Sequence, residues 1–148
     1  MSRITVDAIR ILLIEDDEDD IFLTQRAVAK ANVWNQIDVV RNGQEALDYL
    51  SNKNAYADRE KHPKPGLVLL DLNLPGIDGR EVLDRMSKDS ELKTIPVVIV
   101  STSDYEKDIE FGRARGVHHY IIKPVQADNI MATLGTIPNF RVVLGNVL

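Results

Sequence analysis

Four short apolar runs in this chain are each followed at once by side chains able to do chemistry. Glu15, Asp16 and Asp17 follow Ile11-Leu12-Leu13-Ile14, and Asp71 follows Leu67-Val68-Leu69-Leu70. Ser101 and Thr102 follow Val97-Val98-Ile99-Val100, and Lys123, then Pro124, follows Tyr120-Ile121-Ile122. Carboxylates delivered by two neighbouring strands repel unless a cation lies between them. The donors are all oxygen, which suits Mg²⁺, with Mn²⁺ able to substitute, rather than Zn²⁺. Mg²⁺ is commonly held by a few carboxylates, waters and a phosphate, so the set reads as a hard-cation site with room for a phosphoryl group. A carboxylate can act as a nucleophile and form an acyl phosphate. Asp71 stands alone at the end of the most apolar run and is the best-placed nucleophile. Glu15 and Asp16 suit charge balance at the metal, and Asn73 offers a backbone carbonyl to the same cation. Ser101 or Thr102 can donate a hydrogen bond to a phosphoryl oxygen, and Lys123 adds a positive charge opposite the metal.

Each member has a plainer reading. Acids just after a strand cap helices or face the positive end of the helix dipole, and Asp17 and Asp19 read best that way. Ser103 reads as the start of the next helix, and a single Lys-Pro is a common way to end a strand at the surface. The convergence of four strand ends on one rim outweighs these readings taken singly.

The elements that must position these groups follow from the same runs. Continuous apolar runs of this length read as strands buried on both faces, as in a parallel sheet. Ile37-Asp38-Val39-Val40 is less continuous and reads as an edge strand. Helical patterns lie between the runs. Asp19 to Ala31 places Ile21, Leu23, Ala27, Val28 and Ala31 on one side. Asn42 opens a second helix, to about Leu50, with Ala46, Leu47 and Leu50 inward. Asp78 opens a third, with Val82, Leu83 and Met86 as its stripe. A fourth starts over Ser103 to Glu106 and stops at Gly116, and a short fifth runs from near Asp128 to Gly135. This alternation implies an α/β fold, a parallel sheet with helices on both faces. The expected form is a doubly wound five-stranded sheet of order 2-1-3-4-5, in which ligands bind beyond the carboxyl ends of the strands. Ser51 to Pro65, a long polar connection, and the apolar tail from Asn139 lie outside the minimal pattern.

Composition narrows the function classes. A chain of 148 residues, 44% apolar and 28% charged, has the make-up of one soluble globular domain. It has no cysteine, which excludes disulfides, thiolate catalysis and cysteine metal sites. The apolar runs are far shorter than a membrane span, and MSRITVDAIR lacks a signal-peptide core, so a cytoplasmic location without membrane attachment is expected. A net charge of -5 argues against sequence-independent binding to nucleic acid. Arg113, Arg115, His118 and His119 form a local basic group that reads as a solvated helix end.

The runs ILLIEDDEDD, LVLLDLNLPGIDG, IPVVIVSTSD and YIIKP resemble the receiver domains of two-component response regulators, over roughly residues 9 to 134. On that resemblance the whole of 1–148 is one receiver domain of flavodoxin-like fold, with a core over about 9–134 and an apolar C-terminal extension over 135–148. The resemblance implies that Asp71 receives a phosphoryl group from a histidine kinase. It implies that Glu15 and Asp16 hold Mg²⁺ together with Asp71 and the Asn73 carbonyl. It places Ser101 at the family's hydroxyl position, Lys123 at its phosphate-binding lysine and Tyr120 at its switch aromatic. The segment SNKNAYADREKHPKP, the stretch LDLNLPGIDGREVL and the apolar tail resemble a narrower group, the small stand-alone regulators of cyanobacterial and bacterial phytochromes. That implies a phytochrome-type kinase. Glu15 and Ser101 depart from the commoner Asp and Thr of the family, and the tail is less aromatic than in related small regulators.

Two other classes were weighed. A haloacid-dehalogenase-like phosphatase needs Asp-x-Asp, and here the second position is Asn73, which cannot transfer a proton. A flavodoxin-like flavin carrier needs a phosphate cradle after the first strand, where Glu15, Asp16 and Asp17 repel one. The expectation is a signalling protein, not an enzyme beyond its own phosphorylation and dephosphorylation. No segment after the tail can serve as an output domain, so output is expected through protein contacts. Phe140, Val142, Val143, Leu144, Val147 and Leu148 must bury somewhere. Their sinks are the fifth-helix side of their own domain or a second chain in two-fold contact. The resemblance favours the second, a homodimer through the C-terminal third and tail.

Overall fold

The computed structural model describes residues 10–138 and 140–145. Five strands, β1 (Ile11–Ile14), β2 (Ile37–Val40), β3 (Leu67–Leu70), β4 (Val97–Ser101) and β5 (His119–Ile122), alternate with five helices. The helices are α1 (Glu18–Lys30), α2 (Gly43–Ser51), α3 (Gly79–Lys88), α4 (Glu106–Ala114) and α5 (Ala127–Leu134). All strands are parallel in the order β2-β1-β3-β4-β5, as the alternation of patterns requires.

The two faces of the sheet carry separate cores, which is why the central runs are continuous. Along β1, Ile11 and Leu13 pack with α1 and α5, while Leu12 and Ile14 pack with α2 and α3. This is the two-residue alternation of a pleated strand with apolar cover on both sides. All four side chains are essentially inaccessible, and each contributes on the order of 1.5–3 kcal/mol by burial. β5 is an edge strand, so Ile122 is exposed rather than buried as its run suggested.

The helices start where their caps direct. Asp17 caps α1 by accepting the Asp20 N–H at 2.9 Å, and Asn42 caps α2 by accepting the Glu45 N–H at 2.8 Å. On α1 the inward stripe is Ile21, Thr24, Ala27 and Val28. Leu23 is exposed, because Thr24 and not Leu23 stands one helical turn from Ile21 and Ala27–Val28. α4 starts at Glu106, later than expected, with Tyr105 at its cap position. Ser103 stays outside the helix, and Gly116, at φ +78, ends it.

The two unassigned segments are both anchored. Within 51–65, a 3₁₀ turn over Asn54–Tyr56 brings Tyr56 and His62 against the Tyr49 ring. The Tyr49 hydroxyl donates to Asp38 of β2, which also pairs with Arg10 at 2.7 Å. The described part of the tail packs on its own domain, chiefly against the α1–β2 connection. Phe140 is buried in the α1–α5 core, and Asn35 clamps the strand behind it. Its amide donates to the Arg141 carbonyl at 2.8 Å and its oxygen accepts the Val143 N–H at 2.7 Å. Val33 and Leu144 form an antiparallel bridge, and Leu144 itself remains exposed. Val147 and Leu148 lie outside the described residues.

Gly79 opens α3 directly beneath the end of β3. A Cβ there would sit 2.2 Å from the Asp71 carbonyl oxygen. We expect Gly79→Ala to destabilise the fold by roughly 1–3 kcal/mol, as overpacking does, despite alanine's better helix propensity. Urea denaturation measures this, and an unchanged midpoint would show that the β3–α3 contact is not tight.

Candidate functional site

β1 and β3 are neighbours, with Ile14 opposite Leu70, so Glu15 and Asp71 leave the sheet side by side. The backbone continues the ladder by one step: the Asp71 N–H donates to the Ile14 carbonyl at 3.0 Å, and the Glu15 N–H to the Val40 carbonyl at 3.0 Å. Asp16 joins them, and one carboxylate oxygen from each of the three lies within 4.8 Å of the others. Glu15 and Asp71 are buried, while Asp16 opens to solvent.

Lys123 reaches in from the end of β5. Its Nζ lies 2.5 Å from Glu15 Oε1, 2.9 Å from Asp20 Oδ2 and 3.7 Å from Asp71 Oδ1. The charges remain unbalanced. Burial pushes the Glu15 carboxyl up to about 7 against its hydrogen bond from Lys123, and the Asp71 charge adds to the rise. Burial likewise raises Asp71, tempered by Lys123 and by hydrogen bonds involving Glu15 and the Asn73 backbone. Burial also works against the Lys123 charge, but its bonds to Glu15 and Asp20 outweigh that and hold its amine above the ordinary lysine value. Three clustered acids with one amine form an oxygen-only site short of positive charge. That fits a hard divalent cation entering from the Asp16 side.

The other residues singled out in the sequence lie around this cluster at different ranges. Ser101, the last residue of β4, is wholly buried, and its Oγ accepts the Ser103 N–H at 3.1 Å. The Lys123 N–H donates to the Ser101 carbonyl at 2.8 Å, so the β4 and β5 ends are joined. Thr102 is exposed, as is the Asn73 side chain. Tyr120 packs against the core under α2, α3 and α4, and its hydroxyl donates to the Ser103 carbonyl at 2.8 Å.

Sequence reasoning missed three participants. Asp20, in the first turn of α1 and four residues after Asp16, shares Lys123 with Glu15; its place in the same acidic run was the available signal. Arg80 forms a two-pronged pair with Asp108, with Nε at 2.9 Å and a terminal nitrogen at 2.8 Å. Its other terminal nitrogen lies 3.2 Å from Asp78 Oδ2 and 3.5 Å from both the Leu72 carbonyl and Asn73 Oδ1. Asp108 in turn accepts the Ser103 hydroxyl at 2.6 Å. Ser103 was read as part of a helix start and instead joins this network.

The family of response regulator receiver domains matches residues 11–135. The chain belongs to the response regulator receiver domain family. Among its relatives is the response regulator Rcp1 of Synechocystis sp., 35% identical over 130 residues, covering 88% of this chain and 86% of Rcp1. The Mn²⁺-bound form of Rcp1 superposes with a TM-score of 0.74 at 32% identity, covering 90% of this chain and 98% of that one. The bacteriophytochrome response regulator RtBRR is similar with a TM-score of 0.82 and 37% identity, over 93% of this chain and 82% of that one. The phosphorylated cyanobacterial phytochrome response regulator RcpA is similar with a TM-score of 0.75 and 38% identity, over 90% of this chain and 96% of that one. The receiver fold is thus that of the phytochrome-related regulators, and the family is one of signalling proteins, which sets aside the phosphatase and flavin-carrier alternatives. Receiver domains bind a divalent metal, and Glu15, Asp16 and Asp71 form an acidic cluster that could hold one. Among the described residues no helix is long and apolar enough to cross a membrane.

The Arg80–Asp108 pair has a pH signature. Hydrogen bonds from Arg80 and then Ser103 hold the Asp108 carboxyl below its ordinary value. A depressed carboxyl contributes stability that is present above its unfolded pKa, about 3.9, and is lost as pH falls through the folded value. The stability difference between the native chain and Arg80→Gln should therefore be full at pH 5 and shrink below about pH 4. Urea denaturation from pH 5 to about pH 2 measures it, and a difference independent of pH contradicts the assignment.

Proposed function

We propose that this receiver is switched by phosphorylation of Asp71, with a histidine kinase of the phytochrome type as donor and Mg²⁺ as the metal. The observation that carries the reading is the buried Asp71 carboxylate, flanked by Glu15 and Asp16 and 3.7 Å from the Lys123 amine. An Asp71 oxygen attacks the phosphorus of a phosphohistidine; the new O–P bond forms as the N–P bond breaks, leaving an acyl phosphate and a free imidazole. Glu15, Asp16, Asp71 and the Asn73 carbonyl would hold the metal, which when bound neutralises phosphoryl oxygens. Lys123 turns from its carboxylate partners to a phosphoryl oxygen, and the Ser101 hydroxyl donates to another. Thr102 is a second hydroxyl at the same rim. Tyr120 answers the change at Ser101 through the loop they share at Ser103. The likeness to RtBRR and RcpA, both phytochrome response regulators, supports the choice of kinase.

The chain works as a single receiver over 1–148, with its core over about 9–134. It acts in the cytoplasm through protein contacts, as a signalling protein that takes part in its own phosphorylation and dephosphorylation. With acetyl phosphate and Mg²⁺ the native chain should be labelled, and Asp71→Asn or excess EDTA should abolish labelling. Labelling of Asp71→Asn at the native rate overturns the acceptor, and equal labelling in EDTA overturns the metal.

The same reading includes a homodimer through the C-terminal third and tail. Ile122, Met131 and Leu144 are exposed apolar groups in that third, which supports it. A stable contact needs at least ~1,000 Å² in total. Sedimentation should give a dimer for the native chain and a monomer for a variant carrying Glu at Ile122, Met131 and Leu144. A native chain that stays monomeric at high micromolar concentration, phosphorylated or not, overturns the dimer.

A further inference from the structure

We propose that Arg80 and Asp108 are a positioning pair, tying the loop after β3 to the loop after β4 and so setting the Ser101 hydroxyl relative to the Asp71 carboxylate. The inference rests on Asp71 as phosphoacceptor and adds residues that take no part in binding metal or phosphoryl. Arg80, the second residue of α3, gathers its own loop: Asp78, the Leu72 carbonyl and the Asn73 side chain all lie within 3.5 Å. Asp108, in the first turn of α4, receives the Arg80 fork on both carboxylate oxygens. It also accepts the Ser103 hydroxyl. Ser103 is thereby held on three sides, since its N–H donates to Ser101 Oγ and its carbonyl accepts the Tyr120 hydroxyl.

The bond from Ser103 to Ser101 carries the argument. A hydroxyl has one proton and two acceptor lone pairs. The Ser103 N–H occupies one lone pair of the buried Ser101 oxygen and so restricts where the O–H can turn. The position of that N–H is set by the Ser103 side chain on Asp108, and the position of Asp108 by Arg80. Asp71 follows β3 and Ser101 ends β4, neighbouring strands whose ladder sets their backbones; the bridge joins the loops that follow, and so bears on the Ser101 hydroxyl through the Ser103 N–H. An exposed ion pair of two flexible chains would fix little. This one is two-pronged, charge-assisted and largely covered at Asp108, which is the geometry that confers orientation. A lysine at position 80 keeps the charge and loses the fork.

The plainer role is a staple between α3 and α4 that matters only for stability. The two roles separate in the maximal rate of labelling, measured well below the unfolding temperature at saturating Mg²⁺ and acetyl phosphate. The native chain, Arg80→Gln, Arg80→Lys, Asp108→Asn and the double variant Arg80→Gln/Asp108→Asn are compared, with Mg²⁺ affinity from calorimetry and melting curves for each. Each single variant, including Arg80→Lys, should label roughly tenfold slower, less than the about 100-fold that a ~1 Å misplacement of reacting groups can cost. Mg²⁺ affinity should stay near native. The double variant should be no slower than the slower single, because the two residues act as one unit. Native-rate labelling by Arg80→Gln, with only its melting curve lowered, makes the pair a staple and overturns the inference while leaving Asp71 in place. Rate losses that multiply in the double variant overturn the pairing. A native chain that takes no label at all overturns the Asp71 reading itself.

Discussion

Two carboxylates, Glu15 and Asp71, are held out of water beside a third, with a single lysine to answer them. The sheet topology makes this unavoidable. The order of strands puts β1 and β3 side by side in register, so the residues that follow them must meet. Burial makes their charge expensive, which is why both carboxyls are pushed above ordinary values even with Lys123 at hand. Such a site gains most from whatever brings positive charge to Asp16, its exposed member. The chemistry of the three acids suits a hard divalent cation.

The fold and the centre of this site were legible because both rest on short-range patterns. Runs such as LVLL and VVIV are apolar at every position only when both faces of a strand are covered, and alternation with helical stripes then dictates the winding. Once the winding is known, position relative to a strand end is enough to bring Glu15, Asp16, Asp71 and Lys123 to one rim. No contact had to be guessed. Asp17 shows the limit of composition alone: it stands in the same acidic run, yet its side chain serves the α1 N-terminus.

What escaped the sequence depends on long-range partners. Arg80 and Asp108 are separated by 28 residues and meet only because α3 and α4 start on the same rim. Ser103 reads as a helix start because serine is favoured at N-caps. Its hydroxyl found a better acceptor in Asp108, and the helix start moved along the chain to Glu106. The tail was read from its apolar content, which says that it must bury but not where. The deciding residue was Asn35, whose amide satisfies a carbonyl and an N–H of the tail at once. A polar side chain in a connecting segment carries no such signal in one sequence.

The site is bounded on two flanks by charge networks that differ in kind. On one flank, Lys123 is divided among Glu15, Asp20 and Asp71, all of them acids at or beside the cluster. On the other, Arg80 is saturated by Asp78, Asp108 and backbone, with no carboxylate of the cluster among its partners. On the proposed reading, a phosphoryl group on Asp71 would add about two negative charges. Lys123, 3.7 Å from Asp71, is the cation nearest to that added charge among the described residues, and a metal bound at the acids would offset the partners it leaves. Arg80 cannot respond without unpairing the well-covered Asp108, a penalty of the kind that keeps buried pairs intact. A ligand shifts only those states that it binds differently. The movable charge is therefore on the β5 side, next to Tyr120 and the edge strand, and the fixed charge is on the α3 side. On that reading, a change at Asp71 would reach the ends of β4 and β5 first, where Ser101 and Lys123 stand and are joined by the Lys123 N–H to Ser101 carbonyl bond.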